Sequence, residues 1–96
     1  MDYIIIYDIS TKTVLGDRRL REVARVCEQY GVRVQKSVFE ARLDATQYER
    51  LIGDIQDIIV PGEDSVVIYR LPGGTMPERE VIGRKTGHDF DRPWIL

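Results

Sequence analysis

Cysteine is almost missing from this chain of 96 residues: Cys27 stands alone. A single thiol cannot close a disulfide within the chain or supply the paired cysteines of a zinc knuckle. Such usage suits a reducing interior, most simply a cytoplasm. Histidine is as scarce, with His88 in a loop-like C-terminal stretch. No serine or cysteine nucleophile pairs with it, so a nucleophile–histidine hydrolase is not indicated. No apolar run approaches the roughly 20 residues a membrane-spanning helix needs, and the first residues lack the basic n-region and small-residue cleavage site of a secretory signal. Neither charge sign dominates: the formal net charge is −2 and the sequence pI is about 5.4. An acidic total argues weakly against a general nucleic-acid binder, but a local basic patch would still count. Internal repeats and low-complexity tracts are also lacking.

What is there is the balance of a folded domain, 43% apolar and 31% charged. The length allows one domain with a modest core, near the size at which oligomerisation often helps stability. The run "YIIIYDIS" opens at Tyr3 and reads as a first strand, Tyr3 to Ile9, apolar on both faces as a central strand is. Ser10 to Gly16 reads as a polar loop and Asp17 as a helix N-cap. Behind it Leu20, Val23, Ala24, Cys27 and Tyr30 repeat at helical spacing, with Gly31 as the stop. Val32 and Val34 then alternate with Arg33 and Gln35, but the apolar phase moves to Phe39, Ala41 and Leu43. A strand of period two cannot change phase without a bulge or break, here between Gln35 and Val38. Asp44 followed by Gln47 resembles a capping box, opening a second helix whose stripe is Tyr48, Leu51, Ile52, Ile55, Ile58 and Ile59. Residues 61–64, PGED, make a turn into a strand from Ser65 to Leu71.

The order is strand, helix, strand (bulged or split), helix, strand. This is the ferredoxin-like α+β arrangement, βαββαβ, in which right-handed crossovers place both helices on one face of the sheet. The first strand carries Ile4 and Ile6 on one face and Tyr3, Ile5 and Tyr7 on the other. Two helices cover only one of these faces, so the other needs a covering, and a second copy of the chain is the simplest. Residues 1–72 form the expected core. Residues 73–96 form an extension with weak strand character in "EREVIGRK" and an apolar end at Trp94, Ile95 and Leu96.

Asp8 ends the central strand, where it is read either as a capping carboxylate or as an oxygen ligand for magnesium or manganese. Arg18, Arg19 and Arg21, with Lys12 before them, fall in the expected first turns of the first helix. Cations there oppose the helix dipole yet sit well to grip phosphate beside the free N–H groups. The plainer reading is a solvated basic face paired to Asp17 and Glu22. Arg33 and Lys36 add positive charge after that helix. Phe39 reads as core rather than as a stacking platform, since an RNA-recognition motif would interleave several aromatics on its central strands. Cys27, on the buried stripe, reads as a core thiol.

Together "YDIS", the arginine cluster, "YGVRVQKSVFEARLD" and "EDSVVIYRL" resemble the small CRISPR-associated endoribonuclease family, the non-integrase partner in the spacer-acquisition complex, numbered two in that series. The likeness runs from Tyr3 to about Leu71, and "VRVQKSVFE" is its most specific element. The resemblance implies a homodimer whose sheets face each other, with an extra C-terminal strand exchanged between subunits. It implies that Asp8 from each subunit meets its twin near the two-fold axis, where Mg2+ or Mn2+ can bind. Family positions fall on Tyr7 and Asp8 as catalytic residues, on Arg19 and Arg33, and on Phe39.

Two functions then follow from the resemblance. One is a metal-dependent nuclease acting on single-stranded RNA or double-stranded DNA. The other is a dimeric scaffold that holds nucleic acid by its phosphates, through Arg18, Arg19, Arg33 and Lys36, and bridges the CRISPR integrase. The scaffold is the favoured main role. A ferredoxin-like module binding a small regulatory ligand is the alternative, although it accounts for neither the arginine cluster nor "VRVQKSVFE".

Overall fold

The computed structural model describes residues 1–71 and residue 82. Six elements follow one another: β1 (Asp2–Asp8), α1 (Val14–Tyr30), β2 (Gly31–Gln35), β3 (Val38–Arg42), α2 (Ala45–Gln56) and β4 (Ser65–Leu71). The strands form one sheet in the order β2-β3-β1-β4, with every neighbouring pair antiparallel. This is the ferredoxin-like α+β fold expected from the sequence. Apart from residue 82, the extension from residue 73, with the expected exchanged strand, lies outside the described residues.

The phase change between Val34 and Phe39 is a hairpin. Lys36 and Ser37 connect β2 to β3, and the pairing shifts register between Arg33 and Gln35. Arg33 lies opposite Phe39, whereas Gln35 lies opposite Val38. Directly paired residues share a face, so Arg33 lies on the face of Phe39 and Val32 on that of Glu40, and the apolar sets of β2 and β3 look to opposite sides of the sheet.

β1 is central because both faces are apolar, and the neighbouring strands decide which face the helices cover. Phe39 and Ala41 pair with Ile5 and Tyr3, and this side is closed by α1 and α2. Tyr3, Ile5, Tyr7, Val23, Cys27, Phe39, Leu51 and Ile55 are all buried there. The Tyr3 and Tyr48 rings stack at 4.6 Å between centroids, seating α2 on the sheet. The Tyr30 hydroxyl donates to Asp54 Oδ2 at 3.1 Å and ties the end of α1 to α2. The other face, carrying Ile4, Ile6, Val67 and Tyr69, has no helix over it, and Ile6, Val67 and Tyr69 are exposed.

The helix termini follow capping chemistry, with one departure from expectation. α2 opens on the expected capping box: Asp44 Oδ1 accepts from the Gln47 amide, and the Asp44 amide donates to Gln47 Oε1. α1 begins not at Asp17 but at Val14, because Thr13 is the cap and its Oγ1 accepts from the Gly16 amide at 3.1 Å. Arg18, Arg19 and Arg21 therefore lie in the second turn. The free N–H groups of the first turn are not beside them, and the helix dipole, felt mainly within that turn, does not oppose them as expected. Gly31 follows α1 in extended conformation. It is glycine for closeness rather than for handedness, since a Cβ there would collide with the Glu40 carbonyl oxygen of β3.

Candidate nucleic-acid and metal site

The alternation of β1 sends Tyr7 and Asp8 to opposite faces. Tyr7 points toward the helices, is buried, and packs against Phe39 at 6.1 Å between ring centroids. Its hydroxyl donates to the Lys36 carbonyl at 3.1 Å, while its amide donates to the Ser37 carbonyl. Burial pushes the Tyr7 hydroxyl above its ordinary 10.0, and the nearby Arg33 guanidinium acts in the opposite direction. Asp8 lies on the open face, opposite Ser65 and in line with Ile4 and Ile6. Its side chain is exposed and has no hydrogen-bond or ion-pair partner among the described residues. The two residues named together by the family resemblance are thus adjacent in the chain and separated by the sheet.

The end of the fold that carries Asp8 also gathers cations. Tyr7 fastens the Lys36 turn beside the end of β1, and Lys36 itself is exposed. Arg33, an exposed residue, sets its guanidinium over the Phe39 ring at 5.1 Å from the centroid. Phe39 is fully buried, as expected of a core aromatic, and it serves as the floor under Arg33. On α1, Arg18 faces Glu22 at 3.9 Å and Arg21 pairs with Asp17 at 2.9 Å, both well exposed. These are the pairings of a solvated basic face. Exposed pairs of this kind hold by only about 0–1 kcal/mol, so a phosphate can compete for either arginine.

Arg19 differs from its neighbours. Its Nε donates to Asp64 Oδ2 at 2.8 Å and its Nη2 to Asp64 Oδ1 at 3.3 Å. The Arg19 side chain is 12% exposed and that of Asp64 is 0%. Asp64 also accepts from the amides of Ser10 and Val60, at 3.1 and 2.9 Å. The Arg19 hydrogen bond, chiefly, holds the Asp64 carboxyl below its ordinary 3.8, with the Val60 and Ser10 amides adding to it and burial opposing it. Sequence reasoning takes "PGED" for a turn and misses Asp64 as its hub. The available signal is an acidic residue directly before a strand, which is a weak one.

Cys27 is buried and its thiol is pushed up to about 12, chiefly by burial. It is a core thiol with no nucleophilic character. Among the described residues no group of three or more His, Cys, Asp or Glu side chains is placed to hold a metal ion. The exposed Asp8 carboxylate is nevertheless of the kind a hard cation takes. Magnesium keeps several waters and takes one or two carboxylates, and Asp8 offers one that is exposed and without a partner among the described residues. No described helix is long and apolar enough to cross a membrane.

The architecture and this strand end define a ferredoxin-like protein with an exposed carboxylate at the end of its central strand. The family model for CRISPR associated protein Cas2 matches residues 1–78. The CRISPR-associated endoribonuclease Cas2 1 of Moorella thermoacetica is 42% identical over 96 residues, the whole of both chains. The CRISPR-associated endonuclease Cas2 of Halalkalibacterium halodurans is 41% identical over 93 residues, 97% of each chain. Among solved structures, Cas2 of Streptococcus pyogenes at pH 6.5 superposes with a TM-score of 0.76 at 35% identity, covering 86% of this chain and 100% of that one. The chain belongs to the Cas2 family of CRISPR-associated proteins.

Proposed function

We propose that the chain is a homodimeric nucleic-acid scaffold of CRISPR spacer acquisition, with a metal-dependent phosphodiesterase site at Asp8. The observation that carries this reading is the Asp8 carboxylate, exposed and unpaired among the described residues, at the end of an apolar sheet face without a helix. A second copy packed on that face covers Ile6, Val67 and Tyr69 and brings the two Asp8 residues toward the dimer axis. Like charges so placed repel, and Mg2+ or Mn2+ shared between them relieves the repulsion. The names of the relatives, endoribonuclease and endonuclease, support cleavage of RNA or DNA.

In this reading a divalent ion held by Asp8 would neutralise charge on the scissile phosphate and ease deprotonation of an attacking water. Asp8 of each subunit would be the residue that holds it. Arg18, Arg33 and Lys36 hold the backbone through phosphates, without reading bases. Tyr7 contributes from the opposite face by holding the Lys36 turn. The β4 edge not paired with β1 is free among the described residues, and residues 73–96 are proposed to add a strand to the partner subunit's sheet, since a bare edge invites pairing. The scaffold role places the dimer against the CRISPR integrase.

One preparation of Asp8→Asn tests the reading. The variant keeps the size of the side chain and removes its charge, so folding and dimerisation persist while metal-dependent cleavage is lost. Co-assembly with the integrase and spacer capture persist if the scaffold role dominates, and fail with cleavage if capture requires the enzyme. Undiminished cleavage by Asp8→Asn would remove Asp8 as the metal site.

A further inference from the structure

Ser10, two residues beyond Asp8, is held from two sides. Its amide donates to Asp64 Oδ1 at 3.1 Å. Its carbonyl oxygen lies so near α1 that a Cβ on Gly16 would collide with it. A glycine inside a helix costs roughly 1 kcal/mol against alanine, and here the close approach of the Ser10 backbone requires one. On the far side of β1, Asp8 pairs with Ser65, the residue directly after Asp64. The Asp64 backbone is itself fixed by the turn, through its amide to the Val60 carbonyl at 2.8 Å. The Asp64 carboxylate is met entirely by donors: Arg19 Nε, Arg19 Nη2, Ser10 N and Val60 N. It therefore joins α1, the segment leaving β1 and the turn entering β4, and Asp8 stands between the last two.

We infer that Asp64 and Arg19 form a positioning pair that fixes the strand end bearing Asp8, and that Arg19 acts through Asp64 rather than as a phosphate ligand. Arg19 is the only described arginine with both a nearly buried side chain and a fully buried carboxylate partner. A phosphate would have to displace that partner and leave Asp64 buried without its counter-charge, a strongly unfavourable exchange. Arg18 and Arg21 face no such penalty.

The consequence for Asp8 rests on the metal reading above, and the test separates the two. Three measurements are made on the full-length dimer, with Asp64→Asn, Arg19→Gln and Arg19→Lys beside the unmodified chain. The first is amide hydrogen exchange at Ser10. Asn offers one carbonyl oxygen and an N–H2 group, so it cannot accept from Arg19, Ser10 and Val60 together. Ser10 exchange is expected to rise by about tenfold or more in Asp64→Asn, while core amides such as that of Val23 stay protected. Equal Ser10 protection in variant and parent overturns the brace, whatever the metal does.

The second measurement is the salt dependence of duplex binding. Arg19→Gln is expected to leave the slope unchanged, whereas removal of a phosphate ligand would lower it by about one unit. A lowered slope overturns the assignment of Arg19. The third is Mn2+ binding followed by water proton relaxation, with no nucleic acid present. If the brace positions Asp8, a loss of Mn2+ affinity is expected for Asp64→Asn, with Arg19→Lys retaining part of the affinity. Unchanged Mn2+ affinity in Asp64→Asn overturns the link to Asp8. If the unmodified chain binds no Mn2+, the metal reading and the link to it both fail, while the brace stands or falls on Ser10 exchange.

Discussion

The Tyr7 hydroxyl donates to the Lys36 carbonyl at 3.1 Å, fastening the end of β1 to the β2–β3 turn across 29 positions of sequence. Tyr7→Phe removes this bond and leaves the ring in place against Phe39. A hydrogen bond of this kind contributes about 1 kcal/mol. The urea midpoint should fall accordingly with an unchanged slope, because the surface exposed on unfolding is the same. An unmoved midpoint would show that the turn holds without Tyr7.

Charge on the open sheet face should separate the subunits. Ile6→Lys places an ammonium group where a second copy is proposed to pack, beside Val67. A buried, unpaired charge at an interface centre is strongly unfavourable. Light scattering at micromolar concentration should give about twice the chain mass of 11.1 kDa for the parent and the chain mass for the variant. Circular dichroism should match between the two, since Ile6 is outside the core closed by the helices. A monomeric parent would refute the dimer.

Nucleic-acid affinity should depend on the exposed cations and little on base sequence. Replacing Arg18 and Lys36 together by Gln should weaken duplex binding alike for unrelated sequences. The slope of log affinity against log salt should drop by about one unit for each phosphate that is no longer neutralised. A variant whose slope equals that of the parent would return Arg18 and Lys36 to a solvated basic face.

Asp64 should govern the acid limit of the fold. Its carboxyl lies below the ordinary value of 3.8 in the folded chain. A depressed value stabilises the fold fully above the unfolded-state value and loses that stabilisation as pH falls through the folded one. Stability of the parent should therefore drop below about pH 4. Asp64→Asn should be less stable at neutral pH and show a shallower acid decline, measured by urea titration at several pH values. Parallel pH profiles for variant and parent would disconnect Asp64 from acid unfolding.

The residues reveal the fold more readily than the site. The phase change from Val32 and Val34 to Phe39 and Ala41 is visible because a strand has a strict period of two, and it marks the β2–β3 hairpin. Asp44 and Gln47 reveal the start of α2 because both halves of the capping box lie within one turn. The start of α1 is hidden because Val14 and Leu15 are apolar yet exposed, 84% and 65%, so its first turn has no polar–apolar face to read. Gly16 adds to the disguise, since glycine reads as loop until Ser10 is seen lying against it. The pair of Arg19 and Asp64 spans 45 positions, beyond the reach of any local pattern. Asp8 is legible by place, as the acidic end of an apolar strand, but its separation from Tyr7 by the sheet becomes plain only once the covered face is known.

The position of β1 shapes how the chain is made. Of the four described strands β1 is made first, yet its partners come last: Ile5 waits for Phe39 on one side and for Ile68 on the other. Among the described strands only β2 and β3 can pair locally, through the Lys36–Ser37 turn. Until β4 emerges, the central strand presents a run of isoleucine and tyrosine with an unpaired edge, the kind of segment on which nascent chains aggregate. Non-local pairing of this sort also slows folding relative to helical proteins of the same length. Synthesis of the C-terminal half, rather than collapse of the N-terminal one, then sets when this protein can first become native.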